Sequence, residues 1–401
     1  MPSHDRVQRK SAATGDSGLD RLFFGGFILA LLAIAFLAGA LLSTARIFPG
    51  PQIAQAYEAG RALYTQATAY DDPYAGDLWF PARRDESGVT RISAEQMQEG
   101  LTLYASGEET VARLLSAEGD VLHEWHLPFS EMLSQSTRIQ SPRPDPFVYF
   151  RNAHLYPDGS LLVVIEGNGD TPYGYAIAKL GADSELLWLY DGGAHHDLDV
   201  GPDGRIYGIT HAVVQHRLEH FDNLADAWLE DYLVVLSPEG EEELKLPLTE
   251  MVARSPYRHL LHTVSSYSVG DPLHTNAVNV VGAEFAASHP FAEEGDLLLS
   301  FRELNAVGIV RPETEELVWA TRGPWLGQHD ADPLPNGNIL LFDNYGGYQS
   351  EAGISRVIEF SPQTGEIAWT YGGSDAHPLD SAIRSEQQRL DNGNTLIVES
   401  N

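Results

Sequence analysis

Residues 329–341 read HDADPLPNGNILL, in which a tight turn stands directly before a short apolar strand. Asn-Gly and Asp-Gly pairs favour hairpin turns because both residues tolerate a positive φ. The same pattern of a turn followed by a strand occurs at 157–164 (PDGSLLVV), 202–207, 294–299 and 391–398. A hairpin that recurs in this way predicts repeated antiparallel units along most of the chain.

A second hairpin in these units ends in a strand that carries tryptophan. The segments 185–188 (ELLW), 316–319 (ELVW) and 366–369 (EIAW) match closely. Turn glycines of neighbouring units are 45 residues apart at Gly159 and Gly204, and 42 apart at Gly295 and Gly337. Four short antiparallel strands at this period are typical of a β-propeller blade, so the predicted fold class is all-β. The tryptophans are expected to pack between blades.

The number of blades follows from the units. A first unit covers about 101–125, four fuller units cover 151–190, 196–246, 274–320 and 329–371, and a half-unit covers 386–401. Either the half-unit pairs with strands near 101–126 and closes five blades, or the ring has six blades with an incomplete last one. Because residues 398–401 carry no further turn, we expect six.

An uncharged stretch near the N-terminus, 22–42, reads LFFGGFILALLAIAFLAGALL. Its length suits a hydrocarbon layer of about 30 Å, and basic residues precede it, which places the N-terminus in the cytoplasm. The predicted organisation is a cytoplasmic tail (1–21), a transmembrane signal anchor (22–44), a connector with a short helix near 55–64 (45–100), and the propeller (101–401). In a bacterium the protein would be a single-pass inner-membrane protein with a periplasmic propeller. The small residues at 43–45 leave a cleaved signal peptide as the alternative.

Composition excludes several classes of function. The chain has 57 acidic and 25 basic residues, a net charge of −32, which argues against a nucleic-acid partner. It has no cysteine, which excludes disulfides, thiolate metal sites and cysteine nucleophiles. An anionic substrate is still permitted, because it needs only a local cationic pocket.

Histidines recur at the start of the predicted inner strands. The spacing H-D-x4-P-[N/D]-G aligns His196 with His329, and it selects His196 over its neighbour His195. Another unit offers His274 at the same place and Arg302 at the end of its second strand. Inner strands line the central channel, so these groups are expected to converge. Arginine and histidine together suit a tetrahedral oxyanion.

This ordered set of residues resembles the bacterial arylsulfate sulfotransferase family over roughly residues 100–401. The resemblance implies a six-bladed propeller that moves a sulfuryl group from a phenolic sulfate ester to a phenol, without 3′-phosphoadenylyl sulfate. It implies that His329 forms a sulfohistidine, and that His196, His274 and Arg302 bind the sulfuryl oxygens. Such ping-pong chemistry needs no metal and no other cofactor. The partners are then small aryl sulfates and phenols and the membrane at 22–44; no oligomeric state is indicated.

Two other functions stay open at this point. One is a non-catalytic propeller that binds a sulfated or phenolic ligand, or a partner protein, at the membrane. The other is a quinone- or metal-dependent oxidoreductase, for which carboxylates could be ligands. Four aspartates lie beside turn glycines, and this place favours a role in turn stabilisation instead. They are Asp197, Asp330, Asp332 and Asp343. Among the remaining histidines, His154 is expected in the core, and three are expected on a solvated face near a polar insertion at 215–231 that is compatible with a helix: His211, His216 and His220.

Overall fold

The structure is a computed structural model of the 401-residue chain. It describes residues 18–44, 47–50, 52–53, 72, 74, 79, 85–139, 141–170, 172–346, 355–374 and 376–400. The chain divides into two compact units, Met1–Asp72 and Pro73–Asn401. The connector helix predicted near 55–64 lies outside the described residues.

The first unit contains one long helix, α1 (Gly18–Thr44). Its apolar part, Arg21–Leu42, has 22 residues and a mean hydropathy of 2.5. At about 1.5 Å per residue, this part is long enough to cross a membrane. The apolar N-terminal helix predicted from the sequence is therefore present. A signal sequence near an N-terminus passes the same test of length and composition.

The second unit is built mostly from antiparallel strands. Its first sheet comprises β1 (Thr102–Ala105), β2 (Val111–Leu115) and β3 (Val121–His126). The first four-stranded blade comprises β4 (Val148–Leu155), β5 (Leu161–Gly167), β6 (Gly174–Leu180) and β7 (Leu186–Tyr190). The second comprises β8 (Ala194–Val200), β9 (Ile206–Val214), β10 (Trp228–Leu236) and β11 (Glu242–Pro247).

Two more four-stranded blades follow in the same order. The third comprises β12 (Thr275–Val280), β13 (Leu297–Phe301), β14 (Ala306–Arg311) and β15 (Glu316–Arg322). The fourth comprises β16 (His329–Pro333), β17 (Ile339–Asp343), β18 (Arg356–Phe360) and β19 (Ile367–Tyr371). Short pairs complete the strands: β20 (Gly373–Ser374) with β21 (His377–Pro378), and β22 (Glu386–Arg389) with β23 (Thr395–Val398).

Short helices lie in the connections between these strands. They are α2 (Phe129–Met132), α3 (Leu248–Arg254) and α4 (Ala283–Ser288). The polar insertion, which the sequence left compatible with a helix, forms turns until β10 begins at Trp228. Trp228 anchors these turns, because its Nε1 donates to the carbonyl oxygen of His216 at 2.9 Å.

The propeller has five blades, so the expectation of six was wrong. The hairpin β22–β23 lies beside β16 and β17, whereas β1 and β2 lie beside β4. Both ends of the unit therefore fill the space between the fourth and first blades. The turn after β22 also contacts the segment before β1, where Asn394 Nδ2 donates to the carbonyl oxygen of Gln96 at 2.7 Å. The fifth blade is thus divided between the two ends, and in the described residues its parts form separate sheets.

The core lies between blades, which explains the continuous apolar runs of the middle strands. Every residue of β5 is buried, because neighbouring blades cover both of its faces. The tryptophans of the outer strands bridge the same junctions. Trp125 Nε1 donates to the carbonyl oxygen of Gly159 at 3.1 Å, and the Trp188 ring packs against the turn at Gly240 of the second blade.

The first strand of each full blade carries a β-bulge near its N-terminal end. The register shifts fall between Phe150 and Asn152 in β4, His195 and Leu198 in β8, Thr275 and Ala277 in β12, and His329 and Ala331 in β16. A bulge turns an extra residue out of the hydrogen-bonded ladder and re-aims its side chain. Positive φ angles occur at these places, +58° at His196 and +49° at Asp330. Backbone strain of this kind is typical of functional sites.

Candidate active site

Three histidines from three blades meet at the end of the channel where the bulges lie. The His196 ring centroid is 5.0 Å from that of His274 and 6.4 Å from that of His329. His196 lies in β8, His274 directly precedes β12, and His329 begins β16. His329 is 3% exposed and His196 is 7% exposed, whereas the side chain of His274 is 22% exposed. The structure thus brings these three side chains together.

Arg302 belongs to the same group of side chains. It begins a short 3-10 turn after β13, and its backbone N–H donates to the carbonyl oxygen of His274 at 3.3 Å. Its guanidinium Nη1 forms an ion pair with Glu303 Oε1. The positive charge of Arg302 is the second cause, after burial, of the lowered pKa of His329. It also acts to lower the pKa of His274, although other groups outweigh it there. Arg302 is therefore ion-paired with Glu303, and its charge also acts on His329 and His274.

His329 is held as a neutral imidazole with a defined tautomer. Its Nδ1 lies 2.7 Å from Asn344 Oδ1 and 3.2 Å from the carbonyl oxygen of Gly327. The Asn344 amide is itself oriented, because its Nδ2 donates to the carbonyl oxygen of Ser381 at 2.8 Å. Both neighbours of Nδ1 are then acceptors, so Nδ1 carries the proton and Nε2 the lone pair. Burial, followed by the Arg302 charge, lowers the pKa of His329 well below 6.5.

The backbone N–H of Arg384 shows where the lone pair of His329 points. This N–H donates to His329 Nε2 at 3.3 Å. Arg384 comes from the segment before β22, and its φ is +64°. An electrophile that approaches Nε2 must come from this side and replace the weak hydrogen bond.

The pKa of His274 is shifted in the opposite direction from that of His329. Burial lowers its pKa, but the charge of Asp271 and a hydrogen bond of 2.5 Å between Nδ1 and Asp271 Oδ2 outweigh burial, so the pKa of His274 is raised above 6.5. Burial raises the pKa of Asp271, but the His274 charge outweighs it, so that pKa is lowered. Asp271 thus holds a proton on Nδ1 of His274 and leaves Nε2 for another partner.

His196 is fixed through its backbone and its ring. Its backbone N–H donates to Glu166 Oε1 at 2.7 Å, and its Nδ1 lies 2.8 Å from His195 Nδ1. Burial lowers the pKa of His196 well below 6.5, and the charges of His274 and His195 lower it further. The ring is therefore a neutral group whose Nδ1 is already occupied.

Aromatic and basic side chains surround the histidines. The Tyr173 ring centroid lies 5.6 Å from that of His196 and 6.0 Å from that of His274. Tyr149 donates to Glu166 Oε2 at 2.6 Å and accepts from Arg384 Nη2 at 3.3 Å. A cavity of about 150 Å³ lies between β4 and the divided blade, and it is lined by Tyr149, Arg151 and Arg384 among others but by none of the three histidines. Flat apolar faces beside cationic groups suit an aromatic anion.

Several residues of this group were not predicted from the sequence. Asp271, Asn344 and Arg384 lie in connections that do not repeat between blades, so no spacing indicated them. His211 was expected on a solvated face, which was wrong: it is 3% exposed, and its ring stacks on that of His195 at 4.3 Å. His154 lies further along β4, where its ring contacts Tyr156 at 5.0 Å.

The channel carboxylates have a different role from the predicted turn stabilisation. Asp197 Oδ2 accepts from the backbone N–H of Val278 at 2.9 Å, in the next blade. Asp330 Oδ2 accepts in the same way from Gln387 at 2.6 Å, in the divided blade. These acids therefore connect neighbouring inner strands. Burial, followed mainly by neighbouring carboxylates, raises the pKa of each well above 3.8. The described residues offer one group with metal-ligand spacing, His195, His211 and Asp231.

A family model matches most of the propeller unit of the chain. The family model described as Arylsulfotransferase (ASST) matches residues 152–401, which is more than half of the chain. No curated protein matches the chain. A protein of unknown function from Bacteroides caccae is 11% identical, with a TM-score of 0.47, over 75% of this chain and 82% of that chain. Streptogramin B lyase is 12% identical, with a TM-score of 0.42, over 75% and 73% respectively.

Proposed function

The chain belongs to the arylsulfotransferase family, and from this premise we propose that it moves a sulfuryl group between phenols through a sulfohistidine at His329. The donor is an aryl sulfate and the acceptor is a second phenol. The observation that carries the proposal is the meeting of His196, His274 and His329 beside Arg302, from three blades. A neutral nucleophile and a proton-holding imidazole in one pocket are the two groups that the reaction needs.

In the first half-reaction, the Nε2 lone pair of His329 attacks sulfur. The N–S bond forms while the bond between sulfur and the aryl oxygen breaks, and the bonding pair leaves with that oxygen. His274, protonated beside Asp271, gives its Nε2 proton to the leaving oxygen and releases a neutral phenol. The His329 ring becomes positively charged, and Asn344 Oδ1 stabilises this charge by accepting the Nδ1 proton in a hydrogen bond.

Arg302 and His196 act on the sulfuryl oxygens. The transition state of such a transfer is loose, and its charge lies on the peripheral oxygens, so preorganised donors stabilise it. Arg302 must exchange part of its ion pair with Glu303 for the bound sulfate. In the second half-reaction neutral His274 accepts the proton of the incoming phenol, whose oxygen attacks sulfur and frees His329 Nε2.

The first test is a transfer assay with the full chain in detergent. We expect 4-nitrophenyl sulfate to release one equivalent of nitrophenol in a burst, and turnover to continue only when a phenol acceptor is added. Initial rates that vary both substrates should give the parallel lines of ping-pong kinetics. Two results together would contradict the proposal. Transfer would require both substrates to be bound at the same time, and proteolytic digests prepared without acid would contain no covalent intermediate.

We propose further that α1 anchors the enzyme in a membrane with the propeller on the extracytoplasmic side. The uncharged span and the basic residues before it support this orientation, and these are Arg6, Arg9, Lys10 and Arg21. After expression in a bacterial host, the protein should stay in the membrane fraction after carbonate washing. Protease added to spheroplasts should digest the propeller. Mass spectrometry that finds a mature N-terminus after residue 45 would contradict the anchor.

A further inference from the structure

The cavity between β4 and the divided fifth blade has a volume of about 150 Å³. One of its walls is the bulged start of β4, which carries Tyr149 and Arg151. The two ends of the propeller unit supply apolar groups, Leu103 of β1 and Val398 of β23. A cavity of about 150 Å³ holds one benzene molecule, so a single aromatic ring fits here. The reaction proposed above places no substrate group in this space.

Three charged side chains line the cavity and leave one net positive charge: Arg151, Arg384 and Glu386. Arg151 Nη1 forms an ion pair with Glu386 Oε1 at 3.1 Å, and this arginine side chain is 11% exposed. The Arg384 guanidinium instead contacts Tyr149, since Nη2 donates to the hydroxyl oxygen at 3.3 Å and Cζ lies 5.5 Å from the ring centroid. Within the described part of the chain, no carboxylate forms an ion pair with Arg384. The cavity therefore keeps one cation available to an anion.

Arg384 also connects this cavity to His329. Its backbone N–H donates to His329 Nε2 at 3.3 Å, whereas its side chain lines the cavity. A sulfuryl group on Nε2 takes the place of that N–H, so the phenol oxygen bound to sulfur lies on the side of His329 that faces Arg384. Burial is the main cause of the lowered pKa of His196 and of His329, and the charge of Arg151 contributes to both. The cations of the cavity wall are therefore close to the imidazoles of the site.

We propose that this cavity binds the aromatic ring of the substrate and that Arg384 holds a carboxylate substituent of that ring. The preferred substrates are then carboxylated phenols and their sulfate esters, with the phenol oxygen toward His329 and the carboxylate toward the guanidinium. This inference rests on the proposed function, because it names the substrate class of the same site. A guanidinium presents a planar fork of donors that matches a carboxylate. Donor and acceptor use the same cavity, because the second half-reaction reverses the first.

The charges around the cavity favour a ring with one carboxylate. An uncharged ring would bury part of the Arg384 guanidinium without an anionic partner, which costs free energy. A ring with two carboxylates would bring its second charge to Glu386, which already occupies Arg151. The chain as a whole has a net charge of −32, so it supplies no general attraction for anions. Selection for a single carboxylate therefore depends on Arg384.

The test compares two acceptors of the same shape, 4-hydroxyphenylacetate and 4-hydroxyphenylacetamide, with 4-nitrophenyl sulfate as the donor. A methylene group insulates each ring from its substituent, so the acceptors differ mainly in charge. We expect the wild-type kcat/KM to be about 10–100-fold higher for the carboxylate, because a hydrogen bond to a charged group contributes that much. Arg384→Gln keeps the backbone N–H and removes the charge, so the two acceptors should become about equal. A wild-type ratio near one, or a ratio that Arg384→Gln leaves unchanged, would overturn the inference.

Two further variants show whether the charge of the cavity sets this ratio. Glu386→Gln frees Arg151 from its ion pair, so the preference for the carboxylate should rise by about two- to fivefold. Arg389 lies in the same strand, β22, but its Nη2 pairs with Glu359 Oε2 at 2.9 Å, so Arg389→Gln should keep the wild-type ratio. Because each ratio is measured within one variant, a general loss of activity cancels. Equal losses of preference in both arginine variants, or no rise in Glu386→Gln, would contradict the inference.

These outcomes separate the inference from the proposed function. A wild-type protein with a nitrophenol burst and equal rates for both acceptors keeps the function and removes the carboxylate site. A wild-type protein without a burst refutes the function, and calorimetry then tests the cavity directly. In that case 4-hydroxyphenylacetate should bind more tightly than the amide and lose this advantage in Arg384→Gln. Equal binding of both compounds to the wild type would overturn the inference as well. If Arg384→Gln does not fold, the direction of the change in Glu386→Gln decides.

Discussion

His329→Asn is expected to eliminate sulfuryl transfer, with a fall in nitrophenol release of about 10⁴–10⁶-fold. In the proposed mechanism the neutral Nε2 of His329 forms the covalent bond to sulfur, and an asparagine amide has no lone pair of comparable reactivity. The remaining donors, Arg302 and His274, would still bind the sulfate and give a small residual rate. The measurement is the burst of 4-nitrophenol together with mass spectrometry of the peptide that contains residue 329.

His154→Asn is the control for this variant. His154 lies in an equivalent inner strand, β4, but its ring contacts Tyr156 rather than the three site histidines. We expect the wild-type burst and the wild-type turnover rate from it. If His329→Asn still shows a burst of one equivalent, the nucleophile is another residue and the assignment of His329 fails.

Asp271→Asn is expected to shift the pH dependence of the first half-reaction. Asp271 raises the pKa of His274, so its replacement by an uncharged amide lowers that pKa. The acid form of His274 is present below its pKa and is lost as the pH rises through it. The basic limb of the pH–rate profile should therefore move to lower pH, and above the shifted pKa the burst should slow by about 10²-fold. At pH values below the shifted pKa the variant should approach the wild-type rate.

The identity of the leaving group provides the control for Asp271→Asn. Aryl sulfates whose phenols are more acidic need less protonation, so their rates should fall less than the rate with phenyl sulfate. A loss of the same factor at every pH and with every donor would show that Asp271 has a purely structural role. The proton donor would then have to be found elsewhere in the pocket.

The fold class could be predicted because its determinants are local and repeated. A hairpin turn needs a residue that accepts a positive φ, and Gly337 has a φ of +84° where the sequence shows Asn-Gly. The number of blades could not be predicted in the same way. The half-unit at the C-terminus is completed by strands that lie almost 300 residues earlier, and no local pattern encodes that contact.

The residues of the candidate site differ in the same way, since a repeated pattern indicates some of them and not others. His196 and His329 share a spacing because equivalent bulges at the starts of β8 and β16 present them, so one motif indicated both. Asp271 and Asn344 set the proton positions of His274 and His329, yet each lies in a connection found once in the chain. The spacing selected His196 over His195, but it could not indicate that Nδ1 of His195 lies 2.8 Å from Nδ1 of His196.

The divided fifth blade has a consequence for biosynthesis. Ribosomes make a chain from its N-terminal side, so the segment from 381 to 400 leaves the ribosome after the four full blades. That segment supplies the N–H that faces His329 Nε2 and the carbonyl that orients Asn344. The proposed nucleophile, His329, therefore acquires these surroundings only when the two ends of the propeller join. Incomplete polypeptides and nascent chains in transit lack this environment and would not be sulfated prematurely.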